Sequence, residues 1–591
     1  MPRVIVASRM SVRPYTLVTD SAALGDCLET LRGQPLIGLD TETTGLDPFT
    51  SRVRLVQFST PGDVFVIDCF AFDALEDSRL VDLLELPRPI KILHNAKFDA
   101  RMLERHAGAR LRGVFDTYLA SQLVEAGVHG QTHSLRAVAE RHLGVTIDKR
   151  QQLSDWSGIL SADQVEYAAA DVRVLLPLRA KLVEKIRELG LINVAKIEFD
   201  CAPVVARMEN AGIYIDRVRW EALCEVTERA HAILRDRLME DFSGAVQQMA
   251  LFGKAEINLD SPTQVQDALH RLGIPVEGTR ATELQHFAKH EIVARLLEYR
   301  TVAKQLTSYG RAMLDHIHPV TGRIHPQFIQ IGATSGRFAC MDPSVQQIPN
   351  APEYRDAVRA PEGRTLVVAD YSQIELRILA DWSQDTALMK AFQSGEDLHR
   401  VTASQMFNVP LADVTKSQRS AAKSLNFGLM YGMGAQGLAM RIESSVAEAE
   451  RLVHKYFSAY RGVEQWLREA GEQAVRDRES RTRSGRLVRY EFDDEDRAQT
   501  AGIARLGKNV PIQGTSADIT KVAMIELDAA LSGTDAQIVN TIHDELVVEC
   551  DESIADATRD AVERTMTWAG QQFIRSIPVV VETSVSVAWN K

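Results

Sequence analysis

The sequence predicts a multidomain chain, α/β at its N-terminal end and α+β beyond it. Three observations predict this. A length of 591 residues exceeds what one hydrophobic core organises. Short apolar runs alternate with helical patterns up to about residue 190. Beyond that point long helical patterns dominate, interrupted by a strand platform whose pieces lie far apart in sequence.

The elements follow in order. Residues 1–19 carry Arg3, Arg9 and Arg13 and no acid, and read as an N-terminal arm, with a short organellar transit peptide as the alternative. PLIGLDTETTGLDPF, VRLVQFS and VFVID read as strands, and QVEYAAADVRVLLPLRAKL as helix, so residues 20–192 form an α/β domain. Residues 196–316 carry charged helical patterns with few strand signals. LVVAD then passes directly into the helix-like SQIELRILADW, and residues 386–475 are again helical. QIVNTIHDELVVEC is β-branched on both sides of a polar pair, the pattern of a hairpin.

Composition sets limits. There are 68 basic and 80 acidic side chains, a formal charge of −12, which at face value argues against a nucleic-acid partner. The six cysteines have no close pair, which fits neither a disulfide framework nor a zinc site and suits a reducing compartment. No apolar run approaches the roughly 20 residues of a membrane span.

In LIGLDTETTG, Asp40 and Glu42 sit two apart on a predicted strand and so share a face. Asp99 follows the apolar run IKIL, and YAAAD places Tyr167 and Asp171 four apart on one helix face. Neighbouring acids repel unless a cation neutralises them, and a hard divalent ion does so through oxygen ligands. DTET alone reads as solvated surface acids, since short patterns recur by accident. The three pieces in this order resemble the DEDD-type 3′–5′ exonucleases in their tyrosine variant. HSLRAVAERHLGVTIDKRQQLSDWSG is similar to ribonuclease D and its polymerase-linked relatives. The resemblance implies a ribonuclease H-like domain, with Asp40, Glu42, Asp99 and Asp171 as metal ligands and Tyr167 as the residue that positions water.

VVADYSQIELR puts Asp370 at a strand end, and IHDELVVE puts Asp544 at a hairpin tip. Between them, Arg419, Lys423, Phe427 and Tyr431 recur every four residues, one helical stripe drifting about 40° per step. Two cations and then two aromatics suit a ligand with a phosphate end and a flat ring end. Taken singly, these features fit a core-facing helix, a helix N-cap and a polar turn. Together they closely resemble motifs A, B and C of the family A DNA polymerases, joined by TSGRF, EDLHRVTAS and NVPIQGTSAD.

That resemblance covers residues 196–591 and implies a right-hand fold: thumb about 200–325, palm about 326–385 and 500–591, fingers about 386–499. It implies Asp370 and Asp544 as catalytic metal ligands and Lys423 beside the leaving pyrophosphate. Arg419, His399, Phe427, Tyr431, Gln373, Tyr371 and Glu375 would contact the dNTP, with Glu375 excluding a ribose 2′-hydroxyl. Arg337, Arg505, Asn509, Gln513, His543 and Glu545 would contact DNA. Pro511 is expected to end the helix carrying Arg505 and Asn509, leaving Gln513 in the following turn. The cofactor expected is Mg²⁺, two ions at each site, with Mn²⁺ as a substitute.

The expected function is template-directed DNA synthesis with 3′–5′ proofreading and no 5′ nuclease domain. The partners are primer-template DNA, dNTPs and a single-stranded 3′ end. A monomer in the cytoplasm of a bacterium, or encoded by a phage, is expected, with no membrane partner. The rivals are a 3′–5′ exoribonuclease whose C-terminal half only binds nucleic acid, and a scaffold with an inactive palm. The net charge then calls for a basic cleft within an acidic exterior. Residues 473–489, with six arginines against two acids, are expected to line that cleft.

Overall fold

The structure is a computed structural model that describes residues 15–590 except 129, 149, 153, 248–256 and 443. Arg3, Arg9 and Arg13 of the expected arm lie outside the described residues.

The first unit is built on a six-stranded mixed sheet. Its strands are β1 (Thr16–Val18), β2 (Leu36–Thr43), β3 (Val53–Ser59), β4 (Val64–Asp68), β5 (Ile90–Leu93) and β6 (Val114–Asp116), in the order β1-β4-β3-β2-β5-β6. The apolar runs read as strands are the central ones. β3 is buried along its whole length, which is why VRLVQFS lacks a polar face. Helices cover the sheet, among them Ala96–Ala107 and Ala162–Arg173.

The second unit begins with helices through Ala312–Asp315, then two short paired strands, β7 (Gln327–Ile329) and β8 (Ala339–Met341). β9 (Arg364–Tyr371) leads into the helix Ile374–Ser383. Six helices from Thr386 to Asp477 precede a ribbon of β10 (Glu479–Arg481) and β11 (Leu487–Arg489). The helix Arg497–Ala530 returns the chain to β12 (Gln537–Ile542) and β13 (Glu545–Asp551), and β14 (Val581–Ser586) closes an antiparallel sheet of order β12-β13-β9-β14. The helix Ala555–Phe573 backs that sheet.

Two sequence expectations are corrected below. The boundary read between residues 192 and 196 coincides with no break in secondary structure. It falls in the helix Ile192–Ala211, whose Phe199 and Ala202 pack in the first unit's core while Cys201, Val204 and Met208 pack in the second's. One helix therefore serves both cores.

Pro511 does not end its helix, which runs unbroken from Arg497 to Ala530. An interior proline costs about 3 kcal/mol, through a lost N–H and a clash with the carbonyl four residues back. That residue is Gly507. It sits where the helix Arg461–Asp477 crosses so closely that a Cβ would come within 2.3 Å of that of Ala474. Burial of the helix against its neighbours outweighs the local penalty.

The arginine run does not form an open basic surface. Arg486 is 2% exposed and ion-paired to Glu198 and Asp518. Arg483 meets Asp381, and Arg481 meets Glu479 and the Leu189 carbonyl. Arg489 donates to the Val124 carbonyl at 3.0 Å, and its backbone passes so near Gly127 that a Cβ there would lie 2.0 Å from the Arg489 carbonyl oxygen. Arg481, Arg483, Arg486 and Arg489 fasten the β10–β11 ribbon to the first unit and to the helices Ile374–Ser383 and Arg497–Ala530.

At its centre lies a quartet of buried charges. Glu198 accepts from Lys521 Nζ at 2.6 Å and from Arg486, and Arg486 reaches Asp518 at 2.6 Å. Lys521 also donates to the Gln330 carbonyl at 2.9 Å, and Thr482 donates to Asp518 at 2.8 Å. Burial works to raise the Glu198 carboxyl, but Lys521 and Arg486 hold it below its ordinary value. Lys521→Met leaves an uncompensated carboxylate in this network and is expected to lower stability by about 3–5 kcal/mol in denaturant unfolding. Arg150→Ala, which breaks an exposed pair with Asp148, is expected to change it by less than about 1 kcal/mol. Equal losses would show that burial does not set the cost.

Candidate active sites

The first site is assembled on β2. Asp40 and Glu42 alternate onto one face, and the helix Ala162–Arg173 brings Asp171 over them. One ligand oxygen from each of the three lies within 4.8 Å of the others. Gly38 permits that approach: a Cβ there would lie 2.2 Å from Ser59 Oγ and 3.0 Å from the Val172 carbonyl, which Ser59 Oγ already holds at 2.8 Å. Burial, reinforced by Asp171, Glu42 and Asp40, raises the Tyr167 hydroxyl far above its ordinary value, so it stays protonated beside the acids. Asp99 is not one of that trio. It is 2% exposed and accepts from Thr41 Oγ1 at 2.7 Å. Burial raises it above the usual carboxylate range. An all-oxygen, acidic donor set of this kind fits a hard divalent cation.

The second site lies at the open ends of the palm strands. Asp370 ends β9, and Gln373, at φ 56°, turns the chain into the helix Ile374–Ser383. Asp544 lies in the turn between β12 and β13, beside His543 at φ 56°. Pairing of Glu545 with Asp370 brings the two strand ends together. Burial, with Asp370 and Glu375 adjacent, raises Asp544 above its ordinary value.

The helix Lys416–Met430, begun by a Thr415–Gln418 capping box, is tied to this region through Tyr431 at its end, whose hydroxyl donates to Glu375. Arg419 and Lys423 are exposed and Phe427 and Tyr431 half-buried, whereas Ala422, Leu425 and Leu429 face the core. The cationic half of the stripe is therefore open, whereas its aromatic half packs partly against the core. Arg419 is engaged by Asp397 at 2.6 Å, while Lys423 forms no ion pair among the described residues. The Asn426 amide donates to His399 Nδ1 at 2.9 Å, which leaves Nε2 as the protonated nitrogen. Burial pushes His399 down to about 4, so at neutral pH it is an uncharged donor.

Glu375 is 7% exposed and accepts from the Tyr431 hydroxyl and the Arg337 guanidinium, so the structure ties these three side chains together. Arg505, Asn509 and Gln513 all lie on the helix Arg497–Ala530 at four-residue intervals, which puts Gln513 on their face rather than in a turn. Amide oxygens of Gln373 and Asn509 are buried without a hydrogen-bond partner, the state of groups that a ligand completes.

Two expected contacts are corrected. Tyr371 is 2% exposed and donates to the Met566 carbonyl at 2.7 Å, so its side chain belongs to the palm core and only its backbone faces the site. Glu545 is 4% exposed and accepts from Trp589 Nε1 at 2.7 Å, which leaves it no surface for DNA. The sequence reading missed Thr41, Asn426, Asp397 and Trp589. Asn426 carried a usable signal, since a polar residue at a core-facing helical position requires a buried partner. The others depend on chain segments brought together only by folding.

Comparison with known proteins gives concordant matches. A family model for 3′–5′ exonuclease matches residues 15–187, and one for DNA polymerase family A matches residues 228–591. DNA polymerase I of Aquifex aeolicus is 32% identical over 98% of this chain and 100% of its own length. DNA polymerase I of Pseudomonas aeruginosa is also 32% identical over 98% of this chain, which spans 66% of that relative. The solved structure described as the POL domain of Pol1 from M. smegmatis, in complex with DNA primer-template and dNTP, superposes with a TM-score of 0.83. It is 28% identical and covers 97% of this chain and 99% of its own.

The low ionisation of His399 has a consequence for stability. The unfolded chain takes up a proton near pH 6.5, whereas the folded protein resists until about 4. Stability present above 6.5 is therefore expected to fall as pH drops through this window. His399→Gln should flatten that fall by about 1–3 kcal/mol in denaturation midpoints measured from pH 7 to 4.5. Parallel wild-type and variant curves would show that His399 protonates freely in the fold.

Proposed function

The chain belongs to DNA polymerase family A, as a DNA-directed DNA polymerase with a 3′–5′ exonuclease domain, and from that premise we propose how its two sites divide the work. The palm extends a primer on its template with dNTPs, and the first unit removes misplaced 3′ ends. The observation that carries this division is the existence of two separate carboxylate sites. One is the trio Asp40, Glu42 and Asp171 on the first sheet. The other is the pair Asp370 and Asp544, with Glu375 beside Asp544 and the cationic–aromatic stripe joined to Glu375 through Tyr431.

Mg²⁺, with Mn²⁺ as a substitute, is the proposed cofactor at both sites; when bound it neutralises charge on the reacting phosphate and activates the attacking oxygen. Asp370 and Asp544 would hold it in the palm, and Asp40, Glu42 and Asp171 would hold it in the first unit, where Asp99 is held by Thr41. Lys423 donates to the departing pyrophosphate. Arg419 meets the triphosphate by exchanging its Asp397 partner for phosphate oxygens. His399 offers Nε2–H to the same anion. Phe427 packs on the sugar and Tyr431 lies beside the templating base. In the first unit, the protonated Tyr167 hydroxyl orients the attacking water.

Sugar selection follows from Glu375. Its carboxylate is fixed by Tyr431 and Arg337, so a ribose 2′-hydroxyl meets a rigid, already occupied group and stays unpaired. Arg505, Asn509, Gln513 and His543, with Arg337, present donors to the minor groove. Purine N3 and pyrimidine O2 acceptors occur there in every correct pair, so geometry is tested without reading sequence. The bacterial relatives support a cytoplasmic setting and a role in replication or repair. The exoribonuclease reading leaves Asp370, Lys423 and Asp544 without a role.

Primer extension run beside digestion of a 3′-labelled single strand tests this division. Asp544→Ala is expected to abolish extension and spare digestion, and Asp40→Ala to do the reverse; a wild type that never extends a primer would overturn the reading. Glu375→Ala is expected to raise ribonucleotide incorporation by about 10–100-fold. Unchanged discrimination in competition with dNTPs would remove Glu375 from the gate.

A further inference from the structure

Glu545 follows Asp544 in sequence and pairs in register with Asp370. Opposed residues of antiparallel strands project to the same face, so this third carboxylate stands beside the two proposed ligands. Left to itself it would be repelled by them. Instead its Oε1 accepts from the Trp589 indole N–H at 2.7 Å and from Arg355 Nη1 at 3.4 Å. The Arg355 guanidinium lies 3.4 Å from the centre of the Trp589 ring, so cation, ring and carboxylate form one closed contact.

Each member is anchored independently. Trp589 is 1% exposed, and its backbone N–H donates to the Val358 carbonyl at 2.9 Å. Arg355 lies on the helix Pro352–Ala357 and also donates to Asn350 at 2.5 Å. Arg359 and Ala588 add a strand-like bridge between the same two segments. The segment after β14 and the helix before β9 therefore grip the hairpin one residue from Asp544. A purely packing role would need only the ring; the indole N–H aimed at a carboxylate adds direction.

We propose that Trp589 and Arg355 are positioning residues for polymerisation: by holding Glu545 they fix the β12–β13 turn, and with it the spacing of Asp544 from Asp370 that a divalent ion requires. Groups that orient metal ligands from behind commonly change metal affinity by about 10–100-fold when altered. The inference rests on the assignment of Asp370 and Asp544 as ligands.

The test is Mn²⁺ titration of the full-length protein followed by electron paramagnetic resonance, with Asp40→Ala and Asp171→Ala silencing the first site. Trp589→Phe keeps the ring beneath Arg355 and removes the donor. It is expected to weaken Mn²⁺ about tenfold and to speed hydrogen exchange at residues 541–546, with primer-template affinity unchanged. Glu545→Gln added to Trp589→Phe should cost less than Glu545→Gln alone, because both act through one contact. Wild-type Mn²⁺ affinity in Trp589→Phe overturns the proposal. Should that variant fail to fold, Arg355→Lys decides: it is expected to weaken Mn²⁺ in the same direction, and wild-type affinity overturns the proposal. Mn²⁺ binding that survives Asp544→Asn unchanged would instead show that the ligand assignment has failed.

Discussion

The buried quartet of Glu198, Arg486, Asp518 and Lys521 is the constraint on which the rest of the structure depends. All four side chains are at most 2% exposed, two acids against two bases, and they come from three different segments. Glu198 lies on the helix shared by both cores, Arg486 on the β10–β11 ribbon, and Asp518 and Lys521 on the longest helix of the palm. Isolated, any one of these charges would cost several kcal/mol to bury. Together they are tolerable only in one arrangement, so the network specifies a register more than it adds stability. That register sets the exonuclease unit against the palm.

The two active sites hang from this frame by different means. In the first unit, strand alternation alone presents Asp40 and Glu42, and a glycine gap at position 38 admits the helix bearing Asp171. In the palm, the acids stand at the ends of neighbouring strands, and their separation depends on turn geometry at Gln373 and His543. Burial raises both Asp99 and Asp544, reinforced at Asp99 by Asp116 and at Asp544 by Asp370 and Glu375. Like charges held close in poorly solvated surroundings are unfavourable unless a cation neutralises them.

Charge illustrates how placement overrides totals. The formal −12 argues against a DNA partner, yet the chain belongs to a DNA polymerase family. In the densest arginine run, Arg481, Arg483, Arg486 and Arg489 serve as a fastening, engaged by carboxylates and backbone carbonyls. Exposed cations at the site are fewer and scattered in sequence, with Lys423 and Arg505 among them. Sequence density of one charge type does not report which groups remain available to a ligand.

The sequence by itself determined the elements and which candidate residues they carry. Period-two alternation put Asp40 and Glu42 on one face, a strand running into a helix marked Asp370, a β-branched hairpin marked Asp544, and four-residue spacing marked the Arg419–Tyr431 stripe. These are local signals, carried by backbone periodicity and unaltered by what packs nearby. Tertiary structure decided whatever depended on a partner distant in sequence. It carried the helix through Pro511, because packing beside Gly507 outweighed a local penalty. It turned Tyr371 and Glu545 inward, because Met566 and Trp589 lay waiting 195 and 44 residues away. It turned four arginines of the run, Arg481, Arg483, Arg486 and Arg489, into a fastening. The energy of a side chain depends on what desolvates and pairs it, and only the folded chain brings those groups together.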